Sequence, residues 1–320
     1  MQDAVRVVRT KYIVRIRAMK ILRELRSTLA LVAALVVFAA HAQVNERVLY
    51  EKRSAYNDII VSEDASGYRV LRFERGGARQ SVGKPGEPEY LGFAYTKVAF
   101  VGLALAPEPS RILVVGIGGG TMPMFLHTYY PNATIDAVDI DPDVVRVAKE
   151  YFGFREDDRL KAHVGDGRAF IEQTREPYDL IFLDAFGARN VPPHLTTVEF
   201  MRAVRRAVKP TGVVVGNIWG KPSNPIYDSM VRTYQEVFDD LYMLDVPGTT
   251  NKILLALPRK QTLDRVSLAQ LAHAKGESKG FRFDMGEIDA DQFHVLSGRG
   301  KTGGVLHDAE PARAPAAATH

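Results

Sequence analysis

The sequence predicts an α/β protein in which a small antiparallel β unit precedes a larger domain built on a parallel sheet. Three observations point there. After Pro109, short β-rich runs alternate with helical stretches, the pattern of parallel strands joined by crossover helices. Two of those strands, Ile112–Val115 and Leu180–Leu183, are unbroken apolar runs, as strands buried on both faces must be. The first ends in Gly116-Ile117-Gly118-Gly119-Gly120-Thr121, a glycine run set between strand and helix.

Composition is compatible with this and excludes several alternatives. The 320 residues are 46% hydrophobic and 25% charged, ordinary globular usage. There is no cysteine, which removes disulfides, thiolate nucleophiles and cysteine-ligated metal sites. The eight histidines are scattered, with no His-x-x-x-His or His-Glu-x-x-His pair, so no metal is expected. The net charge of +4 is concentrated at one end: residues 1–27 hold eight basic and two acidic side chains, leaving 34 basic and 36 acidic in the rest. A slightly acidic body offers no footprint for nucleic acid.

Along the chain, the basic stretch is followed by the uncharged run Thr28 to Ala40 and an Ala40-His41-Ala42 site. Residues 1–42 therefore read as a secretory leader, with Met19 an alternative start. Thirteen residues are too few for a stable membrane span, which needs roughly 20. Cleavage after Ala42 implies an exported, periplasmic protein; without cleavage it is cytoplasmic. Residues 46–89 read as the β-hairpin unit, with short strands at Arg47–Tyr50, Asp58–Val61 and Tyr68–Phe73. Pro85-Gly86-Glu87-Pro88 ends it, and Tyr90 to Ala106 is expected to form a mostly apolar helix. Residues 90–296 make the α/β domain, with strands Ile112–Val115, Thr134–Val138, Leu160–Val164, Leu180–Leu183 and Val213–Asn217. Helices are expected over Asp143–Tyr151, Arg168–Gln173 and Val198–Val208, and closing strands over Leu241–Leu244 and Lys252–Leu257. Residues 297–320, rich in Gly, Ala and Pro, read as a disordered tail.

The glycines at 116, 118 and 120 let the chain turn tightly and bring a ligand to a helix N-terminus without a Cβ in the way. Asp139 follows Gly120 by 19 residues, at the end of the next strand, where a carboxylate can grip a ribose diol. This spacing suits a nucleoside, and the glycine pattern favours an S-adenosyl group over a dinucleotide. Asp166 and Asp184 fall at carboxyl ends of strands, on the ligand-binding edge of such sheets. Asp166 is read equally as a helix cap and a ligand contact, and Asp141-Pro142 as a cap with first-turn proline. Asp184 is not needed as a cap, because Thr196 with Glu199 supplies a capping box for the next helix; a functional role is expected. His194, a lone histidine beside two prolines, is read as incidental.

Together these segments resemble the spermidine synthase (polyamine aminopropyltransferase) family. The likeness runs from about Val48 to Leu257 through Arg53-Ser54-Ala55-Tyr56-Asn57-Asp58-Ile59, the Gln80 region, Tyr95, Gly116 to Thr121, Val138-Asp139-Ile140-Asp141, Val164-Gly165-Asp166-Gly167 and Tyr178 to Asp184. The resemblance implies a methyltransferase-like (Rossmann-like) α/β domain, decarboxylated S-adenosylmethionine or S-adenosylmethionine as co-substrate, an amine acceptor such as putrescine, and a homodimer. It implies that Asp139 holds the ribose hydroxyls and Asp166, beside Gly167, the adenine amino group. Gln80 lines the cleft, Tyr95 meets substrate, and Asp184 takes a proton from the attacking amine. The chain departs from the family pattern at Gly119 and Gly187, where acidic residues are usual, at Lys97 and Asn57, and at Val246-Pro247-Gly248-Thr249, which lacks a tyrosine. Two other readings follow from these departures and the leader: a methyltransferase using intact S-adenosylmethionine, and an exported, non-catalytic nucleoside- or polyamine-binding protein.

Overall fold

The computed structural model describes residues 46–106, 108–187, 191–298 and 302–309. The expected leader lies outside the described residues. Among the described residues no helix is long and apolar enough to cross a membrane.

Strands β1 (Arg47–Arg53), β2 (Asp58–Glu63), β3 (Arg69–Arg72) and β4 (Arg79–Gly83) form an antiparallel meander in sequence order. A second sheet of eight strands begins with β5 (Arg111–Val115), β6 (Thr134–Asp139), β7 (Leu160–Val164), β8 (Tyr178–Leu183) and β9 (Val208–Trp219). It is completed by β10 (Asp240–Asp245), β11 (Asn251–Leu257) and β12 (Phe293–Val295). Its spatial order is β12-β10-β11-β9-β8-β5-β6-β7, with β9 to β7 parallel and the closing strands antiparallel. This is the predicted α/β fold. The chain runs outward from β5 through β6 to β7 and returns to the other side of β5 as β8. Such a reversal opens a crevice at the carboxyl ends of the two strands.

The helices are α1 (Ala94–Ala99), α2 (Thr121–Tyr129), α3 (Pro142–Tyr151), α4 (Gly167–Glu172), α5 (Val198–Ala207), α6 (Tyr227–Val237) and α7 (Arg265–Lys279). One core layer joins Phe100, Phe125 and Phe182; the other joins Tyr178, Phe200 and Met201 with the apolar strand residues between them. A third cluster fastens the small sheet to α3: Ile59, Val61, Leu71 and Phe73 bury against Val144, Val147 and Phe152. Each such side chain contributes about 1.5–3 kcal/mol when fully removed from water.

Several expectations need correction. The helix expected over Tyr90–Ala106 is a six-residue α1 followed by 3-10 winding over Phe100–Leu105. Five of those six residues are buried, and a Cβ on Gly102 would meet Val215 at 2.4 Å. The backbone therefore lies directly on the sheet, leaving no solvent face for a regular amphipathic helix. Helix α5 is capped by Thr197, whose Oγ1 accepts from Phe200 N at 3.3 Å. The expected capping residue, Thr196, instead donates to the Pro193 carbonyl. The expected disorder beyond residue 297 does not extend to residues 302–309, which pack back onto α5 and α6 with Leu306 against the core. Asp141 caps α3 as expected, accepting from Asp143 N at 3.0 Å.

Candidate active site

A cavity of about 350 Å³ opens at the β5–β8 crevice and is roofed by the small sheet. That volume is in the range of small-molecule sites. Gln80, Tyr95, Gly116, Gly118, Asp139, Asp166, Gly167 and Asp184 all line it. Gly120 does not. With φ at +74° it ends the glycine turn, and a Cβ there would strike Phe154 at 2.5 Å, so packing alone already requires a glycine.

The glycine loop explains its own composition. Gly116, with φ at +100°, lets the Asp184 carbonyl approach to where a Cβ would sit, 2.3 Å away. Asp184 N in turn donates to Val115 O at 2.8 Å, which holds the ends of β5 and β8 together. Asp139, ending β6, accepts from Ile117 N at 2.9 Å and Asp141 N at 3.0 Å. Burial raises its carboxyl, and the amides of Asp141, Ile117 and Gly118 pull it back down. These amides fix its orientation on the cavity wall.

Asp184 is the most perturbed carboxylate of the cavity. Burial pushes it up to about 6, against the opposing effects of two hydrogen bonds. Its Oδ1 accepts from Asn217 Nδ2 at 2.8 Å and its Oδ2 from the Tyr95 hydroxyl at 3.0 Å. Asn217 itself accepts from Asn251 Nδ2 at 2.9 Å, so two amides on adjacent strands stand behind the carboxylate. Tyr95 is held well above its ordinary range by burial and by the charge of Asp184, and it remains a neutral donor. A carboxylate fixed at both oxygens and titrating near neutrality is suited to accept a proton.

Asp166 caps its helix as expected and lies on the cavity wall. Its Oδ1 caps α4 through Ala169 N at 2.9 Å. Burial would raise it, yet the Ala169 amide and His194 keep it below the usual range. His194, read as incidental, lies on the cavity wall with its Nε2 2.6 Å from Asp166 Oδ2.

Other residues escaped the sequence reading. Ser81 and Thr96, both buried, line the cavity, and Phe186 stacks on Trp219 at 5.3 Å. Thr96, not Lys97, is the cavity neighbour of Tyr95; Lys97 is exposed and lies over Phe283. A side chain at Gly119 would meet Ser81 Oγ at 2.6 Å and Phe152 at 2.9 Å. The glycine is thus fitted to its neighbours. Asn217 carried a legible signal: a lone amide at the end of the apolar run Val213–Val215 needs a polar partner when buried. Among the described residues no group of three His, Asp or Glu could hold a metal ion.

Comparison with known proteins agrees with the fold. A family model described as the spermine/spermidine synthase domain matches residues 93–251. The polyamine aminopropyltransferase of Vibrio vulnificus is 33% identical over 229 residues, covering 68% of this chain and 76% of that protein. The human eEF1A lysine and N-terminal methyltransferase is 34% identical over 215 residues, 61% of this chain but only 30% of that protein. Among solved structures, a probable spermidine synthase from Corynebacterium glutamicum superposes with a TM-score of 0.67 at 21% identity, over 83% of this chain and 98% of that one. Human methyltransferase-like protein 13 in complex with SAH gives 0.54 at 31% identity, over 59% and 93%.

Proposed function

From the premise that this chain belongs to the spermine/spermidine synthase family of aminopropyltransferases, we propose that its cavity binds an S-adenosyl nucleoside and transfers an aminopropyl group to a small amine, with Asp184 as the base. Asp139 would take the ribose hydroxyls and Asp166 the adenine amino group, with Gln80 on the cleft wall. The amine nitrogen attacks the carbon next to the sulfonium, the C–S bond breaks, and methylthioadenosine leaves with the bonding pair. The proton lost by the nitrogen passes to Asp184. An alkylamine is protonated at neutral pH, so a carboxylate near the nitrogen is a physical requirement of attack. The enzyme's main contribution is alignment, since the sulfonium already activates the carbon. The observation that carries this reading is Asp184 itself, raised to about 6 and fixed by Tyr95 and Asn217 in the same cavity as Asp139 and Asp166.

Methyl transfer from intact S-adenosylmethionine is the second reading. It is favoured by the absence of a carboxylate at Gly119, and by likeness to a methyltransferase whose solved complex holds SAH. Product analysis separates the two. The purified chain is incubated with decarboxylated S-adenosylmethionine and putrescine, and separately with S-adenosylmethionine and an amine panel. Release of methylthioadenosine with an aminopropylated amine supports the first reading. Release of S-adenosylhomocysteine supports the second, and binding without turnover of either donor supports a non-catalytic nucleoside-binding protein. Export, acceptor identity and dimerisation belong to the same proposal; mass spectrometry of the mature N-terminus tests cleavage after Ala42.

A further inference from the structure

The last described segment of the chain reaches back toward the cavity. Gly303, with φ at +77°, lies against the first turn of α6, where a Cβ would meet Ser229 N at 2.6 Å. The Leu306 amide donates to Thr233 Oγ1 at 3.0 Å, and its carbonyl accepts from Val198 N at 2.7 Å. Asp308 accepts from Thr197 Oγ1 at 2.8 Å and from both terminal nitrogens of Arg168 at 2.7 Å. The segment therefore crosses α6 and α5 and ends on α4.

Arg168 is the contact that connects this segment to the site. It follows Asp166 and Gly167, both on the cavity wall. Its Nη1 also donates to the His194 carbonyl at 3.3 Å, and the His194 ring meets Asp166 Oδ2. A two-point pairing with a carboxylate fixes the plane of a guanidinium, which a single contact does not.

We propose that residues 302–308 form a strap whose Asp308–Arg168 fork positions the Asp166–His194 wall, making Asp308 and Arg168 positioning residues for nucleoside binding. The proposal rests on reading the cavity as a nucleoside site. Arg168 holds the Asp308 carboxyl down at about 2, so the fork persists at neutral pH. Without Asp308, Arg168 keeps Glu172 at 2.8 Å and is free to swing away from the His194 turn. The wall must then be ordered when ligand binds, which weakens affinity and leaves the chemical step alone.

The test uses the full chain carrying Gly303→Ala or Asp308→Ala, with S-adenosylhomocysteine as the calorimetric probe and hydrogen exchange in the ligand-free protein. Both variants are expected to exchange faster at residues 166–172 and 194–197, and to bind the probe roughly tenfold more weakly. Turnover at saturating substrate stays unchanged. A strap that merely stabilises would lower the melting temperature without moving affinity or exchange at the wall, and that result overturns the proposal. Gly303→Ala acts about one helix away from Arg168, so agreement of the two variants excludes a local effect of the lost carboxylate. A wild-type chain that binds no S-adenosyl ligand would defeat the nucleoside reading instead, while the exchange measurement would still decide whether the strap orders the wall.

Discussion

The Tyr95 hydroxyl donates to Asp184 Oδ2 at 3.0 Å, joining the helix that follows the small sheet to the end of the fourth parallel strand. Burial and the charge of Asp184 keep Tyr95 neutral, and the bond leaves Asp184 with one lone pair on that oxygen for an incoming proton. Carboxylate and hydroxyl are therefore coupled, and most of the behaviour expected of this protein follows from what surrounds that carboxylate.

Asp184→Asn is expected to lower turnover by about 10²–10⁴-fold, the usual contribution of a positioned base, while nucleoside affinity is kept. The folded carboxyl sits at about 6, above the ordinary 3.8. It therefore binds a proton more readily in the folded state, so its stability contribution is fully present below the unfolded value and is lost as pH rises through about 6. The asparagine variant should consequently melt higher than wild type at pH 7.5 and lose that advantage near pH 4. In wild type, the acid limb of turnover should fall as pH drops through about 6. Unchanged turnover in the variant removes Asp184 from the mechanism.

Asn217→Leu keeps the branched shape but takes away the donor to Asp184 Oδ1, and Asn251→Ala loosens the amide behind it. Both changes move the Asp184 titration upward, the first by about one pH unit and the second by less, because a bond that favours the charged form is lost or weakened. Carbon-13 NMR of the aspartate carboxyls reads this directly. A midpoint that does not move would show that the amides pack without tuning the carboxylate.

The parallel sheet and the carboxylates at its edge were legible because alternation, buried apolar runs and strand-end placement are local properties of the sequence. Asp139, Asp166 and Asp184 are found where that logic puts them. What was not legible depends on contacts between distant segments. His194 gains its place from Asp166, 28 residues earlier, and Asp308 from Arg168, 140 residues earlier. The 3-10 turn at Phe100–Leu105 arises from close approach of Gly102 to Val215. No pattern of period 2 or 3.6 records such approaches.

Gly119→Ala is expected to destabilise the fold by about 1–3 kcal/mol, because its Cβ would sit 2.6 Å from Ser81 Oγ and 2.9 Å from Phe152. Ser81→Gly should recover much of that loss in the double variant, since it removes the nearer obstacle. Urea denaturation of the four proteins of this cycle gives the coupling. The same crowding bears on donor choice. Gly119→Asp alone should not raise preference for the decarboxylated donor, whereas Gly119→Asp with Ser81→Gly should, as read by calorimetry with both donors.

Asp141 is fully buried and holds together the cavity rim and α3. One oxygen caps the helix through Asp143 N; the other accepts from Ser54 Oγ at 2.5 Å and Asn57 Nδ2 at 3.2 Å. Asn57 and its neighbour Tyr56 line the cavity. Asp141→Ala loses a cap and leaves two donors without their acceptor, so a destabilisation of about 2–4 kcal/mol is expected from cap and hydrogen-bond losses together. Ser54→Ala keeps the cap and removes one of the two donors to Asp141, at the partly exposed 54–57 turn, and should lower stability by about 1 kcal/mol. Because Ser54 Oγ also accepts from the Tyr56 and Asn57 amides, this milder variant should weaken nucleoside binding while the protein remains folded. Equal affinity in wild type and Ser54→Ala would mean that the 54–57 turn closes the cavity without contributing to what binds there.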